Sequence, residues 1–302
     1  MPRRLLALEI GATTVKFVDV VSNSRQCFAQ GTSGSILPIS SNAIQDGEVL
    51  QPAALAADLK AGLKAAGVKT KHTALTVNSS RLILRQLDLP PLPIPQLRQL
   101  LTWELQRYTP YQADTTEFDL LSIQLTPKHH TVLLAAVPKS IVASLFMTVQ
   151  SAGLYPFLLE PGVICLFRWI QYHYNVGNKN VVILDLGVNS SNILVVTTGQ
   201  PFIARTVLVT LDRVEGKHKL IAEVRRSLDF VRARNNTSLT WYCLCTGKEA
   251  SNGLLVKALA KDLKIPVQGL TTDSSLNVDS TLFATSLGLA LGWWGGGYHR
   301  SE

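Results

Sequence analysis

The sequence predicts an α/β fold built from two similar halves, and three observations predict it. The first is residues 181–196, VVILDLGVNSSNILVV. A β-branched, apolar run ends in Asp185-Leu186-Gly187, a polar tip follows (Asn189, Ser190, Ser191, Asn192), and a second apolar run closes the segment. Two such runs around a few turn residues read as a β-hairpin with a hydroxyl-rich tip. The second observation is that residues 6–20, LALEIGATTVKFVDV, repeat this design without a gap. Glu9 aligns with Asp185, Gly11 with Gly187, and Thr13-Thr14 with Asn189-Ser190, an offset of 176 residues. A repeat of that size points to two similar domains rather than to a solenoid. The third is the alternation of such strands with helical stripes, the pattern of a layered α/β chain. At 302 residues the chain also exceeds one average domain.

In order along the chain, the first hairpin spans residues 5–21, with a third strand expected near residues 26–30. Residues 31–51 are polar and turn-rich and read as a loop. Leu55, Leu59 and Leu63 recur every four residues and mark a helix, which Gly67 closes at the position just past its end. Residues 73–77 read as a strand. An inserted unit is expected at 79–158. It has a strand at 81–89, a stiff connection through Pro90, Pro91, Pro93 and Pro95, and a helix with Leu97, Leu101, Leu105 and Tyr108 on one face, ended by Thr109-Pro110. A hairpin (117–125 and 131–137), a helix (140–150) stopped by Gly153, and a strand (154–159) complete a β-α-β-β-α-β module. His129 and His130 fall at its hairpin tip and read as solvated, with no metal-ligand spacing around them. The first domain is thus expected at 1–78 and 159–178, including a helix at 161–174. The second is expected at 179–302: strands from 181, 192 and 202, a helix striped by Ile221, Val224, Leu228 and Val231, a strand at 239–245, a helix through Leu255, Leu259 and Leu263, and a buried terminal helix at about 281–294.

Composition narrows the classes. Hydrophobic residues make up 46% of the chain and charged residues 17%, as in a protein with a sizeable core. Cys27, Cys165, Cys243 and Cys245 show no metal spacing. Cys243 and Cys245 alternate within a strand and so share a face, and a reduced, cytoplasmic setting fits. No segment reads as a signal peptide or a membrane span. The Trp293-Trp294 pair could touch a partner or a lipid surface. The net charge of +8 allows nucleic acid, anionic lipid or an acidic protein as partner. The densest basic run, residues 213–234, reads as a solvated helix face, and no nucleic-acid motif accompanies it.

The chemistry of a Gly- and hydroxyl-bearing tip is phosphate binding. Glycine lets the backbone approach a ligand, turn N–H groups and small hydroxyls surround an anion, and a nearby carboxylate holds magnesium through water. The plainer alternative is a tight turn whose acid caps its own backbone.

Paired hairpins of the form acid-apolar-Gly-x-Thr-Thr at the start of two halves resemble the actin-like ATPase superfamily. Trp103-Glu104-Leu105-Gln106-Arg107-Tyr108-Thr109-Pro110 resembles the W-E-x-x-x-Y-x-P segment of the PilM family, actin-like proteins of type IV pilus assembly. Residues 132–137, Ala152-Gly153-Leu154 and 221–230 (IAEVRRSLDF) resemble the same family in the same order. The resemblance implies a ribonuclease H-like duplicated fold with an inserted subdomain. It also implies a nucleotide, ATP with magnesium, between the halves. Glu9, Gly11, Thr13, Thr14 and Lys16 would serve one side of the phosphates, and Asp185, Gly187, Asn189 and Ser190 the other. Gly247 would approach the adenosine, while Glu9 and Asp185 would position magnesium electrostatically.

Three departures from the family pattern imply a weak or degenerate site, and a scaffold rather than an enzyme. Glu9 stands where the family commonly has Asp. The adenosine turn, Cys245-Thr246-Gly247-Lys248, lacks adjacent glycines. Between Val207 and Lys219 the chain passes directly from strand to helix, without the helical segment that walls the adenine pocket in relatives. The implied role is a cytoplasmic scaffold peripheral to the inner membrane. It would hold the tail of a PilN-like bitopic membrane protein as an extended peptide between the first domain and the inserted module. Other pilus platform or motor proteins are further implied partners, and nucleic acid is not. The alternatives are an active actin-like ATPase, a small-molecule kinase of the same superfold, the cytoplasmic half of a type II secretion protein, or a cell-division relative. A kinase would need a catalytic Asp that no loop supplies, the secretion protein a membrane span, and the cell-division relative a terminal amphipathic helix.

Overall fold

The structure is a computed structural model that describes residues 3–22, 28, 31–40, 42–174, 176–177, 179–234, 240–251 and 253–294. It resolves into two units: residues 1–79, 141–175 and 270–302 form the first, and residues 80–140 and 176–269 the second.

In the first unit, β1 (Arg3–Ile10), β2 (Thr14–Ser22) and β3 (Thr32–Pro38) form an antiparallel meander. A small hairpin follows, β4 (Ile44–Gln45) and β5 (Glu48–Val49). Helix α1 (Pro52–Ala65) leads to β6 (His72–Val77), which lies parallel to β1. The expected third strand near 26–30 falls largely outside the described residues. The strand that completes the meander is β3, within the stretch expected to be a loop. Its sequence, TSGSILP, carries little apolar alternation because it is the edge of its sheet and needs to bury only part of one face. Helix α1 buries Leu55, Ala56, Leu59 and Leu63. It ends as expected: Gly67 takes φ +70°, Val68 N–H donates to Leu63 O at 3.0 Å, and Gly67 N–H donates to Lys64 O at 3.1 Å.

The second unit takes β7 (Ile83–Leu89), α2 (Ile94–Tyr108), β8 (Thr116–Leu125) and β9 (His130–Pro138) from the expected insertion. Leu97, Leu101 and Leu105 of α2 pack on Leu87, Leu89, Leu120, Val132 and Leu134. Helix α3 (Lys139–Ser151) and β10 (Tyr155–Pro161) return the chain to the first unit, where β10 lies parallel to β6. Helix α4 (Gly162–His173) follows, then β11 (Asn180–Leu186), β12 (Ser190–Thr197) and β13 (Gln200–Leu208), again an antiparallel meander. Helix α5 (Val214–Arg234), β14 (Trp241–Thr246), α6 (Gly253–Leu263) and β15 (Val267–Gly269) complete the second unit. Cys243 and Cys245 are buried side by side on β14. Helix α7 (Ala284–Trp294) closes the chain within the first unit.

The two sheets repeat one topology. The first runs β10-β6-β1-β2-β3; the second contains β15-β14-β11-β12-β13 and continues through β7, β9 and β8. In each, an antiparallel meander is followed by two parallel strands. β7 joins β13 through Ile203↔Arg85 and Ala204↔Leu84.

These units divide the chain differently from the boundaries expected at 78/79, 158/159 and 178/179. The order β-α-β-β-α-β is present, but its last helix and strand lie in the first unit while its first three strands extend the second sheet. Helix α7, expected in the second domain, packs on α4, β1, β2 and β6. A Cβ on Gly288 would stand 1.8 Å from Cys165 O, so the two helix backbones touch there. A linear reading groups neighbours in sequence, and a chain that crosses four times between units defeats it.

Candidate functional site

Residues at the carboxyl ends of parallel strands face the crevices in which α/β folds bind ligands, and both repeats place their polar tips there. In the second unit, Gly187 N–H donates to Ser190 O at 3.1 Å and closes the β11–β12 turn. A Cβ on Gly187 would stand 2.6 Å from Ser190 O, so the turn requires glycine. Asn189 is exposed at the tip, and its carbonyl accepts from Val209 N–H at 3.1 Å. Asp185 pairs with Asn192 across the hairpin and accepts from Asn192 Nδ2 at 3.1 Å; Thr206 Oγ1 donates to Asn192 Oδ1 at 2.7 Å. On the other side Asp185 pairs with Thr246 of β14. Gly247 follows with φ +90°, and a Cβ there would meet Leu186 O at 2.6 Å and Asp185 Oδ1 at 2.8 Å. Gly187 and Gly247 therefore form a backbone cradle beside the Asp185 carboxylate. Ser190 completes the set, so five expected residues of this half are brought together.

The first unit repeats the register. Gly11 N–H donates to Thr14 O at 2.9 Å, and Thr13 is exposed at the tip. Glu9 pairs with Lys16, and Lys16 Nζ lies 3.4 Å from Glu9 Oε1. The lysine expected to face phosphates is thus directed at the carboxylate of its own hairpin. Glu9 and Asp185 hold equivalent places, as do Lys16 and Asn192.

Sequence reasoning missed Glu160. It lies at the end of β10 opposite Thr76 of β6. The β1–β6 register, which runs to Leu8↔Leu75, brings Glu9 alongside Thr76 at its next step. Glu9, Thr76 and Glu160 therefore stand in one row across three strands. Glu160 is buried, and its Oε2 accepts from Arg168 Nη1 at 2.8 Å and from Cys165 Sγ at 3.3 Å. Arg168 also donates to Gly288 O at 2.8 Å. Burial pushes the Cys165 thiol well up; Glu160 adds to this, Arg168 opposes it, and Glu9 contributes a smaller push. Glu160 Oε1 and Thr76 Oγ1 are buried without a hydrogen-bond partner among the described residues. Two orphaned oxygens beside buried carboxylates fit a hydrated cation or a bound water. A sequence signal existed: Glu160 is the only acid between Asp119 and Asp185, and it ends an apolar strand.

Among the described residues no cluster of three or more His, Cys, Asp or Glu side chains could by itself ligate a metal. His129 is exposed and His130 half-buried. Where β7 and β13 splay in the second unit, a cavity of about 660 Å³ is lined by Arg85, Tyr108, Phe202, Arg205, Lys219 and Glu223 among others. Among the described residues no helix is long and apolar enough to cross a membrane.

The family model described as type IV pilus assembly protein PilM matches residues 7–208. The chain belongs to the PilM family. No curated protein matches its sequence. Among solved structures, this PilM family member is similar to a PilM–PilN type IV pilus biogenesis complex, with 20% identity and a TM-score of 0.77, covering 95% of this chain and 97% of that one. It is also similar to a Bacteroides thetaiotaomicron protein with an actin-like ATPase fold (12% identity, TM-score 0.55, 95% of both chains). A third is the cytoplasmic domain of EpsL, an inner-membrane component of the Vibrio cholerae type II secretion system (13% identity, TM-score 0.55, 96% of this chain and 95% of that one). At these identities the likeness establishes the fold, which is the actin-like α/β architecture.

Proposed function

We propose that this PilM family member is an actin-like scaffold of a type IV pilus assembly platform. It works in the cytoplasm, peripheral to the inner membrane, and holds the cytoplasmic tail of a PilN-like bitopic membrane protein as an extended peptide. The observation that carries this reading is the similarity along nearly the whole chain to a solved PilM–PilN complex. The family match from residue 7 to residue 208 supports it. Attachment to the membrane runs through this partner and other platform proteins. A pull-down of the purified chain with a synthetic PilN-like tail tests the reading: retention at micromolar peptide is expected, and no retention at high micromolar peptide defeats it.

We further propose that the nucleotide site is weak. Asp185, Gly187, Asn189, Ser190 and Gly247 form a set that suits phosphate and a hydrated cation, and Gly11, Thr13 and Thr14 form the matching turn. When bound, magnesium ATP would supply charge that these groups order rather than a reaction the scaffold needs. Lys16 lying on Glu9 works against the site, because a cation must displace an ammonium to reach that carboxylate. Isothermal titration with magnesium and ATP is expected to give an affinity weaker than micromolar; a micromolar value would return the chain to the active ATPase reading.

A further inference from the structure

The end of the first unit carries a patch that the scaffold role leaves unused. β10 is the outer strand of its sheet, and Tyr155 and Phe157 lie on it to either side of Pro156. Tyr155 is 59% exposed and Phe157 44%. The ring of His72 joins them, with centroids 6.2 Å from Tyr155 and 6.4 Å from Phe157. Trp293, in the last turn of α7, extends the group at 5.9 Å from Phe157. Lys71 Nζ lies 5.9 Å over the Tyr155 ring. Lys69 and Lys71 are exposed along the connection from α1 to β6, and Lys64 is exposed in the last turn of α1. Within the first unit, residues 59–79, 141–159 and 280–294, which include the patch, contain no Asp or Glu.

Exposed aromatic side chains on an edge strand invite pairing with another chain unless something prevents it. Here Pro156 lies between the two aromatic residues, and the β6–β10 register slips between Pro156 and Leu158. A proline without an N–H and a broken register make poor terms for an added strand. The patch instead combines what an interfacial surface needs: amphipathic rings that sit at headgroup depth and cations that attract anionic headgroups. Neither feature alone anchors a protein, and the two together give reversible attachment.

We propose that Tyr155, Phe157 and Trp293, with Lys71 over the Tyr155 ring and Lys69 two residues before it, form a surface that lies directly on an anionic bilayer. This contact is additional to any tail held by the scaffold and does not depend on it.

The test is co-sedimentation of the full chain, without any tail peptide, with vesicles of phosphatidylcholine and phosphatidylglycerol mixed in equal parts, against phosphatidylcholine alone. Binding is expected for the mixed vesicles only, and it weakens as salt is raised. Neutralising Lys69→Gln with Lys71→Gln is expected to reduce partitioning about thirtyfold, at roughly a fivefold loss per surface cation. Tyr155→Ser with Phe157→Ser is expected to weaken it while leaving the melting temperature and circular dichroism in place, since both side chains are largely outside the core. Brominated acyl chains are expected to quench tryptophan fluorescence, and Trp293→Phe to lower that quenching. Failure to sediment with mixed vesicles would overturn the proposal, as would variants that bind like the parent. Equal binding to soluble polyglutamate with no quenching would assign the patch to an acidic protein and overturn it as well.

Discussion

The same row of positions crosses both repeats, and evolution has filled the two rows with different chemistry. In the first, Lys16, Glu9, Thr76 and Glu160 run across β2, β1, β6 and β10. In the second, Thr206, Asn192, Asp185 and Thr246 run across β13, β12, β11 and β14. The shared threonine and the shared acid mark the common plan. The neighbours differ: the first row neutralises its acids with Lys16 and Arg168, whereas the second orients its one acid through an amide and a hydroxyl. A charged partner satisfies an acid by cancelling it, and a neutral hydrogen-bond donor satisfies it while leaving its charge available. The second row is thus the better prepared to meet a cation or a phosphate, and the first is the more committed to holding its own unit together.

Breaking the first row should produce the largest effect. Arg168→Ala removes the partner of a carboxylate that is 1% exposed, which is expected to cost about 3–5 kcal/mol, visible as a fall in the chemical denaturation midpoint. Pairing it with Glu160→Gln should recover much of that loss, because no buried charge is then left alone; no recovery would mean that the bond from Arg168 to Gly288 O matters more than the ion pair. In the second row, Gly247→Ala forces a side chain into a left-handed backbone against Leu186 O, at a cost of about 1–3 kcal/mol. Any binding of magnesium ATP, measured by titration, should vanish with it. Thr206→Val takes away the hydroxyl that orients Asn192, for a loss of about 1 kcal/mol in thermal stability, and tests whether that chain of hydrogen bonds is coupled to Asp185. The smallest change in stability is expected from Lys16→Asn, which makes the first row resemble the second: the ion pair is long at 3.4 Å, and asparagine can itself donate to Glu9, so the net loss is under about 1 kcal/mol. Its informative readout is binding, since a Glu9 freed from Lys16 should hold magnesium ATP more tightly. A weaker affinity would show that Lys16 itself serves the phosphates.

Local patterns carried much of this architecture into the sequence. The two hairpins share a register 176 residues apart, as the gapless repeat predicts, because a strand with one face buried cannot slip by one residue without turning its apolar set outward. The α1 stripe and its Gly67 terminus were readable for the same local reason. β3 was not: a polar edge strand obeys its neighbour β2 more than its own composition. Glu160 was illegible as a site residue because its partners come from β6 and α4, and only the sheet register aligns it with Glu9. Its isolation among apolar residues was the trace it left. The place of α7 could not be read either, since Gly288 gains meaning only against Cys165 O.

That last contact has a consequence for synthesis. A ribosome releases residues 80–140 and 176–269, the whole of the second unit, before it has made α7. The first unit starts earlier yet waits longer, because the helix that covers β1, β2 and β6 is translated only after the whole of the second unit. Its sheet must stay bare on that side while the second unit is being made, a natural moment for a chaperone to take hold.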